Sequence, residues 1–264
     1  MPAIMGSRPA LARAIPCAIV GMLVASSCGA GDQSESPVVT TILASNGVRA
    51  AVEHVRPELD RRSVGTVRVS FGTSAAIRGR IVAGEAFDVA MLTADALDAL
   101  IETGSVVAGS RADLGRSGMG LAVRQGARRP DISTARALGQ TLAAARSLTY
   151  AADGATRDQI ERMLATLQLL DVVRAKTVLE QGSNNATGRV ARGESELVIT
   201  LVSEIVPVDG IELVGLLPAE FQRYLSFAAG VSANARRPDD AQALVAFLSG
   251  PAAAEAFTAR GIER

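Results

Sequence analysis

Residues 66–95, TVRVSFGTSAAIRGRIVAGEAFDVAMLTAD, alternate between strand-like and helix-like patterns. Alternating apolar side chains predict a strand over Thr66–Phe71, whereas Ile77 and Ile81 have the four-residue spacing of one helix face. The apolar run Phe87–Leu92 then predicts a second strand. A strand, a helix and a strand of these lengths are typical of a parallel sheet whose strands are joined by crossing helices.

The same alternation continues on both sides of this stretch. Upstream, Val38–Ala44 predicts a strand that leads into a helix beginning near Val48. Two further strand-like segments, Gly118–Arg124 and Leu225–Val231, connect this unit to a second one. We therefore expect an α/β fold of two doubly wound lobes, joined by two crossover segments, with a ligand cleft between the lobes. The strands predicted for the second unit are Ser147–Ala151, Thr177–Leu179, Leu197–Val202 and Ile211–Leu213.

The chain divides into five segments on this pattern. They are a signal peptide at residues 1–27, a tether at 28–37, the first part of lobe 1 at 38–117, lobe 2 with the crossover segments at 118–231, and C-terminal helices at 232–264 that return to lobe 1. We expect the last helix to begin at Pro251, because proline favours the first position of a helix.

The N-terminal stretch has the features of an export signal. Arg8 and Arg13 precede an apolar segment, residues 14–25, that is too short to cross a bilayer, which needs about 20 residues. Residues 24–28, VASSC, resemble a bacterial lipobox, in which Cys28 would be lipidated after cleavage. The alternative is ordinary cleavage and soluble export. We expect the protein in the periplasm, or anchored to the outer face of a membrane by lipid at Cys28.

The composition argues against several classes of function. Basic and acidic residues number 27 each, and aromatic residues make up only 3% of the chain, so we expect no nucleic-acid partner. Both cysteines, Cys17 and Cys28, lie in the N-terminal stretch, and His54 is the single histidine. This excludes a zinc site built from cysteine and histidine ligands. We expect no cofactor and no metal.

The sequence contains no recognisable catalytic constellation. It has neither a P-loop nor a dinucleotide-binding glycine motif, and residues 72–76, GTSAA, lack the final glycine of a nucleophile elbow. Asp88 and Asp95 flank a predicted strand end and have the chemistry for acid–base catalysis, but structural capping is the better interpretation. We expect a protein that is not an enzyme, with a hydrolase that uses Ser74 as the weakest alternative.

Hydroxyl-bearing residues stand where four predicted strands give way to helices. Ser45 and Ser74 do so in the first unit, and Thr156 and Ser183 in the second. The N-terminus of a helix attracts anions through its free N–H groups and dipole, although serine there is also a common helix cap. Strand ends of such sheets border the ligand crevice, so these four residues are candidates for binding a small anion.

Five stretches of the chain follow an order that is found in one known family. They are Leu43–Ser45, Phe71–Ser74 followed by Ile77 and Ile81, Phe87–Asp95, Val190–Glu194, and Ala243–Phe257. On these residues the chain resembles the molybdate-binding proteins of ABC importers, a branch of the type II periplasmic binding fold. The resemblance runs from about Val38 to Gly261. It implies an extracytoplasmic, monomeric binding protein whose partner is an ABC permease with its ATPase.

The resemblance also implies how a ligand is held. An oxyanion such as molybdate or tungstate would be bound by serine hydroxyls and backbone N–H groups, without a compensating cation. The corresponding positions here are Ser45, Ser74 and the backbone of Ala155, with a fourth contact near Ser183. Leu201 occupies the family's tyrosine position, which removes one hydrogen-bond donor. Either neighbouring polar side chains replace that donor, or the site serves another ligand.

The identity of the ligand therefore stays open between two kinds of small anion. One is molybdate, tungstate or a similar tetrahedral oxyanion. The other is a small organic carboxylate, for which Arg157, in a loop that opens a predicted helix, is a candidate clamp. An exposed arginine in the first turn of a helix is, however, common without any ligand.

Overall fold

The computed structural model describes residues 38–264. The predicted signal peptide, the tether and Cys28 lie outside the described residues. The strands of the described part are Val39–Ser45 (β1), Thr66–Gly72 (β2), Val89–Thr93 (β3), Ala112–Arg124 (β4), Leu148–Ala151 (β5), Thr177–Glu180 (β6), Leu197–Leu201 (β7), Ile211–Leu216 (β8) and Tyr224–Val231 (β9). The helices are Arg49–Arg62 (α1), Ser74–Val82 (α2), Ala94–Glu102 (α3), Ala135–Ala144 (α4), Arg157–Thr166 (α5), Leu170–Arg174 (α6), Ser183–Ala191 (α7), Val202–Ile205 (α8), Pro238–Ser249 (α9) and Pro251–Thr258 (α10).

The strands form one sheet in the order β2-β1-β3-β9-β4-β7-β5-β6, with β8 paired to β4. In the first half of the sheet, β1 pairs in parallel with β2 and β3. In the second half, β5 pairs in parallel with β6 and β7. Between these groups, β9 and β4 are antiparallel to their neighbours. The first part of β4 pairs with β9 and its second part with β7 and β8, so β4 is shared by both halves.

The expected α/β class is confirmed by this sheet and its helices. The expected parallel pairing is correct for the strands on either side, whereas β4 and β9 are antiparallel because they carry the chain between the two halves. β4 also begins at Ala112 rather than at Gly118, and the sequence patterns missed α4 and α6. The lobe boundaries at residues 117 and 231 stay a prediction.

The central strands of the sheet are buried on both faces because helices cover the sheet. Every residue of β7 and all but the last residue of β3 are buried, as is typical of strands enclosed by helices. Under α2 and α3, Leu43, Ile77 and Leu97 share one apolar cluster. On the second half, Val190 and Val198 belong to a cluster that packs α7 on β7. Within residues 38–264, no helix has both the length and the apolar character needed to cross a membrane.

The carboxyl ends of the parallel strands lie side by side. Ser45 at the end of β1 is in register with Gly72 at the end of β2, and Ala44 with Met91 in β3. In the second half, Ala151 at the end of β5 is in register with Glu180. The loops that follow these strands are therefore brought together in each half, as in other open α/β sheets.

Candidate functional site

A small cavity lies where these loops from the two halves of the sheet meet. Its volume is about 30 Å³; since one water needs about 10–15 Å³, it has room for about two water molecules. The structure brings all five predicted site residues, Ser45, Ser74, Ala155, Thr156 and Ser183, to its wall. Their contact with a ligand stays a prediction. The other lining residues are Asn46, Thr73, Thr93, Ala151, Gly154, Thr200, Leu201, Glu204, Leu225 and Phe227.

The hydroxyl groups of Ser45 and Ser74 keep their protons available for a ligand. The Ser45 hydroxyl oxygen accepts a hydrogen bond from the backbone N–H of Gly47 at 3.3 Å, and that of Ser74 accepts one from the backbone N–H of Thr93 at 3.0 Å. A serine hydroxyl has two acceptor lone pairs and one proton to donate. Because the backbone occupies only acceptor capacity, each serine still offers one O–H donor, which suits an anion.

The Ser45 side chain acts in part as a helix cap, whereas the Ser74 side chain does not. Ser45 caps a single short 3₁₀ turn that precedes α1. The cap of α2 is Thr73, whose hydroxyl accepts from the backbone N–H of Ala76 at 3.2 Å, and Ser74 is the first residue inside the helix. The capping alternative is therefore incorrect for Ser74, whose side chain instead bridges from α2 to the end of β3.

The loop between β5 and α5 contributes Ala155 and Thr156. The Thr156 hydroxyl forms no hydrogen bond with any described residue, although the residue is buried. The same loop is fixed to its neighbour because the Asp153 carboxylate accepts the backbone N–H of Gly182 at 2.8 Å. Thr156 is therefore a third hydroxyl that can serve a ligand, held on a loop that is tied to the start of α7.

Glu204 of α8, which no pattern in the sequence indicated, is the one ionisable residue among the described residues of the cavity wall. The Ser183 hydroxyl donates to Oε1 of Glu204 at 2.7 Å, and the Thr200 hydroxyl donates to Oε2. Ser183 therefore presents its lone pairs to the cavity, and its proton is engaged with Glu204. The expected role of Ser183 as a direct donor to an anion is not supported by this arrangement.

Enclosure by the site governs the charge state of Glu204. Removal of the carboxyl from water raises its pKa above the ordinary value of 4.5. The hydrogen bonds from Thr200, Ser183 and the Leu201 backbone act in the opposite direction but do not cancel this effect, and the nearby charge of Asp153 adds to it. Glu204 is therefore a stronger base than an ordinary surface glutamate.

Among the described residues, those that line the cavity include no lysine or arginine. The predicted clamp, Arg157, donates instead to Glu161 at 2.9 Å and to the carbonyl oxygen of Ala152 at 2.8 Å. Its guanidinium is thus turned onto its own helix and the preceding loop. Arg49 also stays outside the lining, where it donates to Asn46 at 3.0 Å and stacks on the ring of Phe71.

Part of the cavity wall is apolar. Leu201, at the family's tyrosine position, lies on the wall with Leu225 and Phe227 of β9. The ring of Phe227 also packs against Gly47, where an added Cβ atom would lie only 2.4 Å from the ring. The site therefore combines hydroxyl donors on one part of its surface with hydrocarbon and a carboxyl group on another.

The other residues considered from the sequence lie away from this cavity. Asp88 accepts the backbone N–H groups of Thr41 at 2.7 Å and Arg236 at 3.1 Å, which is a structural role. Asp95 lies in the first turn of α3. The ring of His54 contacts Arg260 on the exposed surface. Within residues 38–264, no cluster of three or more histidine, cysteine or acidic side chains is arranged to hold a metal.

Comparison with known protein families gives one match for this chain. The model of the family described as "Bacterial extracellular solute-binding protein" matches residues 40–263. The chain belongs to this family. The extracellular description agrees with the expected export.

One relative of this chain is named as an enzyme. The aconitate isomerase of a Pseudomonas species is 34% identical over 236 residues, which cover 86% of this chain and 88% of that protein. A named catalytic activity is thus found in a protein that is similar to this chain over most of both lengths.

The titles of solved structures with the same fold name different ligands. The molybdate-binding protein of Azotobacter vinelandii has a TM-score of 0.70 and 18% identity, and the match covers 85% of this chain and 99% of that one. A sulfate-binding protein of Mycobacterium tuberculosis has a TM-score of 0.68 and 15% identity, covering 85% and 86%. A thiamin-binding protein has a TM-score of 0.67 and 15% identity, covering 87% and 84%. The fold is therefore shared, while the resemblance to molybdate-binding proteins does not fix the ligand.

Proposed function

We propose that this solute-binding protein holds a small organic carboxylate in the cleft between the two halves of its sheet and delivers it to an ABC permease with its ATPase. The observation that carries the proposal is Glu204, a carboxyl group on the cavity wall. The other polar side chains among the described lining residues are the Asn46 amide and several hydroxyls, of which those of Ser45 and Ser74 still have a proton to donate. The donors suit the carboxylate groups of a ligand, whereas Glu204 and the apolar wall suit its carbon skeleton.

The chemistry of Glu204 weighs against a tetrahedral oxyanion. Molybdate presents oxygen lone pairs in every direction, so any orientation brings an oxygen towards the Glu204 carboxyl. An ionised carboxylate repels such an oxygen, and like charges at close range in an enclosed site are costly. A hydroxy acid or an unsaturated acid can present an O–H or C–H group at this position instead. Leu201, which replaces a donor with hydrocarbon, favours the same class of ligand.

Cis- and trans-aconitate are the first carboxylates to consider. The choice rests on the relative named aconitate isomerase, since 34% identity over most of both chains is the highest similarity among the proteins compared above. A six-carbon acid needs more room than the 30 Å³ of the present cavity. We therefore propose that the halves of the sheet separate to admit it and close around it, with β4 and β9 as the connecting segments.

Molybdate or tungstate is the alternative ligand of the same binding function. Two observations favour it. One is the cavity's small volume, and the other is the free hydroxyl protons of Ser45 and Ser74 in a wall whose described residues include no lysine or arginine. The structural similarity to a molybdate-binding protein supports the fold that this alternative needs. It requires a protonated Glu204, so that the carboxyl donates to the oxyanion.

Isomerisation of the bound carboxylate is a second candidate function. It is favoured by an enclosed carboxyl group with a raised pKa on the cleft wall, together with the name of the 34% identical relative. Such a reaction needs a group that takes and returns a proton, together with donors that stabilise the negative charge on the ligand.

A thermal-shift screen of the exported chain tests the binding proposal. A ligand that binds only the folded state raises the melting temperature by mass action. The panel contains cis- and trans-aconitate, citrate, other small hydroxy acids, molybdate, tungstate, sulfate and phosphate. We expect a carboxylate to give the largest shift. A shift with molybdate or tungstate and none with any carboxylate would reject the carboxylate proposal and favour the alternative.

Lipid anchoring at Cys28 is a separate proposal that rests on the residues VASSC at 24–28. Labelled fatty acid should enter the full-length protein in a bacterial host that expresses it, and should not enter the Cys28→Ser variant. Equal labelling of both proteins, or of neither, would reject the anchor and leave export in place.

A further inference from the structure

The Glu204 carboxyl group receives hydrogen bonds that are not needed to keep its helix in place. α8, which carries it, is only four residues long, and its backbone is already fixed by the bond from the Ser203 N–H to the Ser117 hydroxyl. The carboxyl nevertheless receives two hydroxyl donors from separate elements, Ser183 at the start of α7 and Thr200 at the end of β7. An acidic group in an enclosed site is costly unless something compensates for it. Its position on the ligand cavity points to a role towards the ligand.

We propose that Glu204 moves a proton on the bound carboxylate, a role that rests on the proposed binding of a small unsaturated acid in the same cleft. Ser183 and Thr200 are positioning residues, because they contact the Glu204 oxygens and fix the plane of the carboxyl group. Ser45, Ser74 and the Ala155 backbone hold the carboxylate groups of the acid, and Glu204 faces its carbon chain.

The step that this geometry supports is a 1,3 shift of hydrogen in an allylic acid. Glu204, as a carboxylate, takes a proton from an sp³ carbon that lies next to a carbon–carbon double bond. The C–H electron pair moves into the conjugated system, and its charge is delocalised onto the ligand's carboxylate group. The protonated Glu204 then returns a proton to the far carbon of the allyl unit. One C–H bond breaks and one forms, the double bond shifts, and no oxidant, reductant or co-reactant is needed.

The environment of Glu204 suits both halves of this step. A general base works best when its pKa lies near the working pH, and enclosure raises the pKa of Glu204 in that direction. Hydroxyl protons that are free to donate, on Ser45 and Ser74, stabilise negative charge as it builds on the ligand carboxylates. The absence of a lysine or arginine from the described lining leaves Glu204 without an ionic partner that would lower its basicity.

Proton NMR of the purified exported chain with trans-aconitate in heavy water tests the proposal. The wild type should convert trans-aconitate to the cis isomer and should introduce deuterium at carbon. Glu204→Gln keeps the size and most hydrogen bonds of the side chain but cannot take a proton, so the rate should fall by about 100-fold or more. Glu204→Asp retains a carboxyl group that is withdrawn by one methylene, and should keep an intermediate rate. Glu220→Gln, at an exposed glutamate, serves as the matched control and should behave as wild type.

Calorimetric titration of the same proteins with trans-aconitate separates this proposal from the binding proposal. We expect Glu204→Gln to bind with affinity close to wild type, since loss of rate without loss of binding marks a group that acts in the transition state. If the wild type binds trans-aconitate but neither isomerises it nor exchanges its hydrogens, the proton-transfer role is wrong and binding stands. If Glu204→Gln turns over as fast as wild type, another group moves the proton. If no carboxylate binds, the proposed function itself fails.

Discussion

The Ser183 hydroxyl donates a 2.7 Å hydrogen bond to Oε1 of Glu204, which joins the start of α7 to the short helix α8. Ser183 and Glu204 are 21 residues apart in the chain. The bond therefore depends on the parallel arrangement of β5, β6 and β7, which places the ends of β6 and β7 on the same side of the sheet. It is one of three hydrogen bonds, with those from Thr200 and the Leu201 backbone, that favour the ionised form of Glu204.

Removal of this hydroxyl should raise the pKa of Glu204 further. The Ser183 bond stabilises the ionised carboxylate and so lowers the pKa, against the larger effect of enclosure. In Ser183→Ala the enclosure remains and the stabilising bond is lost. Carbon-detected NMR titration of the glutamate carboxyl signals should show one titration displaced to higher pH. A titration curve identical to that of the wild type would show that the bond does not form in solution.

The contribution of Glu204 to the stability of the fold should fall as the pH rises above about 4.5. Below the ordinary pKa of 4.5 the Glu204 carboxyl is protonated in both the folded and unfolded states. Because its folded-state pKa is raised, the folded protein binds more protons than the unfolded one between the two values, and stability is lost as pH rises through the folded pKa. Urea unfolding from pH 4 to 8 should show that the wild type and Glu220→Gln lose stability relative to Glu204→Gln as the pH rises. Equal pH dependence in all three proteins would contradict the raised pKa.

The two serine hydroxyls should each contribute to ligand binding. Ser45→Ala and Ser74→Ala remove donors to a charged ligand, so each should weaken binding of the best ligand from the screen by roughly 1–3 kcal/mol, or about 5- to 150-fold. Ser249→Ala, which removes a hydroxyl at the end of α9, is the matched control and should bind as wild type. Tight binding that survives both serine substitutions would place the ligand elsewhere.

The C-terminal segment should be needed to hold α8 in place. Gly261 has a φ of +79° and packs directly on α8, where an added Cβ atom would lie 2.8 Å from a Val202 methyl group and 3.0 Å from the Ser203 backbone nitrogen. Gly261→Ala should therefore destabilise the fold by about 1–2 kcal/mol from the left-handed backbone alone. It should also displace the Glu204 carboxyl and weaken ligand binding.

Gly79→Ala provides the control for the Gly261 substitution. Gly79 lies inside α2 with no atom close to an added Cβ, so alanine there should stabilise the fold by about 0.5–1 kcal/mol and leave binding unchanged. Chemical unfolding and ligand titration of both variants measure these effects. A Gly261→Ala protein with wild-type stability and affinity would show that the tail does not fix α8.

Most of the fold follows from residue patterns along the chain. The buried strands and the amphipathic helices have distinct periods, and the alternation of the two predicts parallel strands with crossing helices. The same reasoning predicts that Ser45, Ser74, Thr156 and Ser183 lie at one cleft, because residues that follow parallel strands lie at the same edge of a sheet. The antiparallel placement of β9 beside both β3 and β4 could not be predicted, since it depends on pairing between residues that are far apart in sequence.

The missed features of the site depend on contacts between side chains. Glu204 follows an apolar strand by three residues, a position that offers a weak signal, but its two hydroxyl partners and its enclosure appear only in three dimensions. Arg157 was a candidate clamp because of its place in the chain. Its actual direction is set by Glu161, one helical turn away, and by the carbonyl of Ala152.

Above all, we expect the cleft to accept a small carboxylate and Glu204 to disfavour a tetrahedral oxyanion. Calorimetric titration of the wild type and of Glu204→Gln with trans-aconitate and with molybdate, side by side at neutral pH, tests it most directly. We expect trans-aconitate to bind the wild type more tightly than molybdate does, and we expect molybdate to gain affinity in Glu204→Gln, where the carboxylate is removed. Tight binding of molybdate to the wild type, with no detectable binding of trans-aconitate to either protein, would contradict the claim.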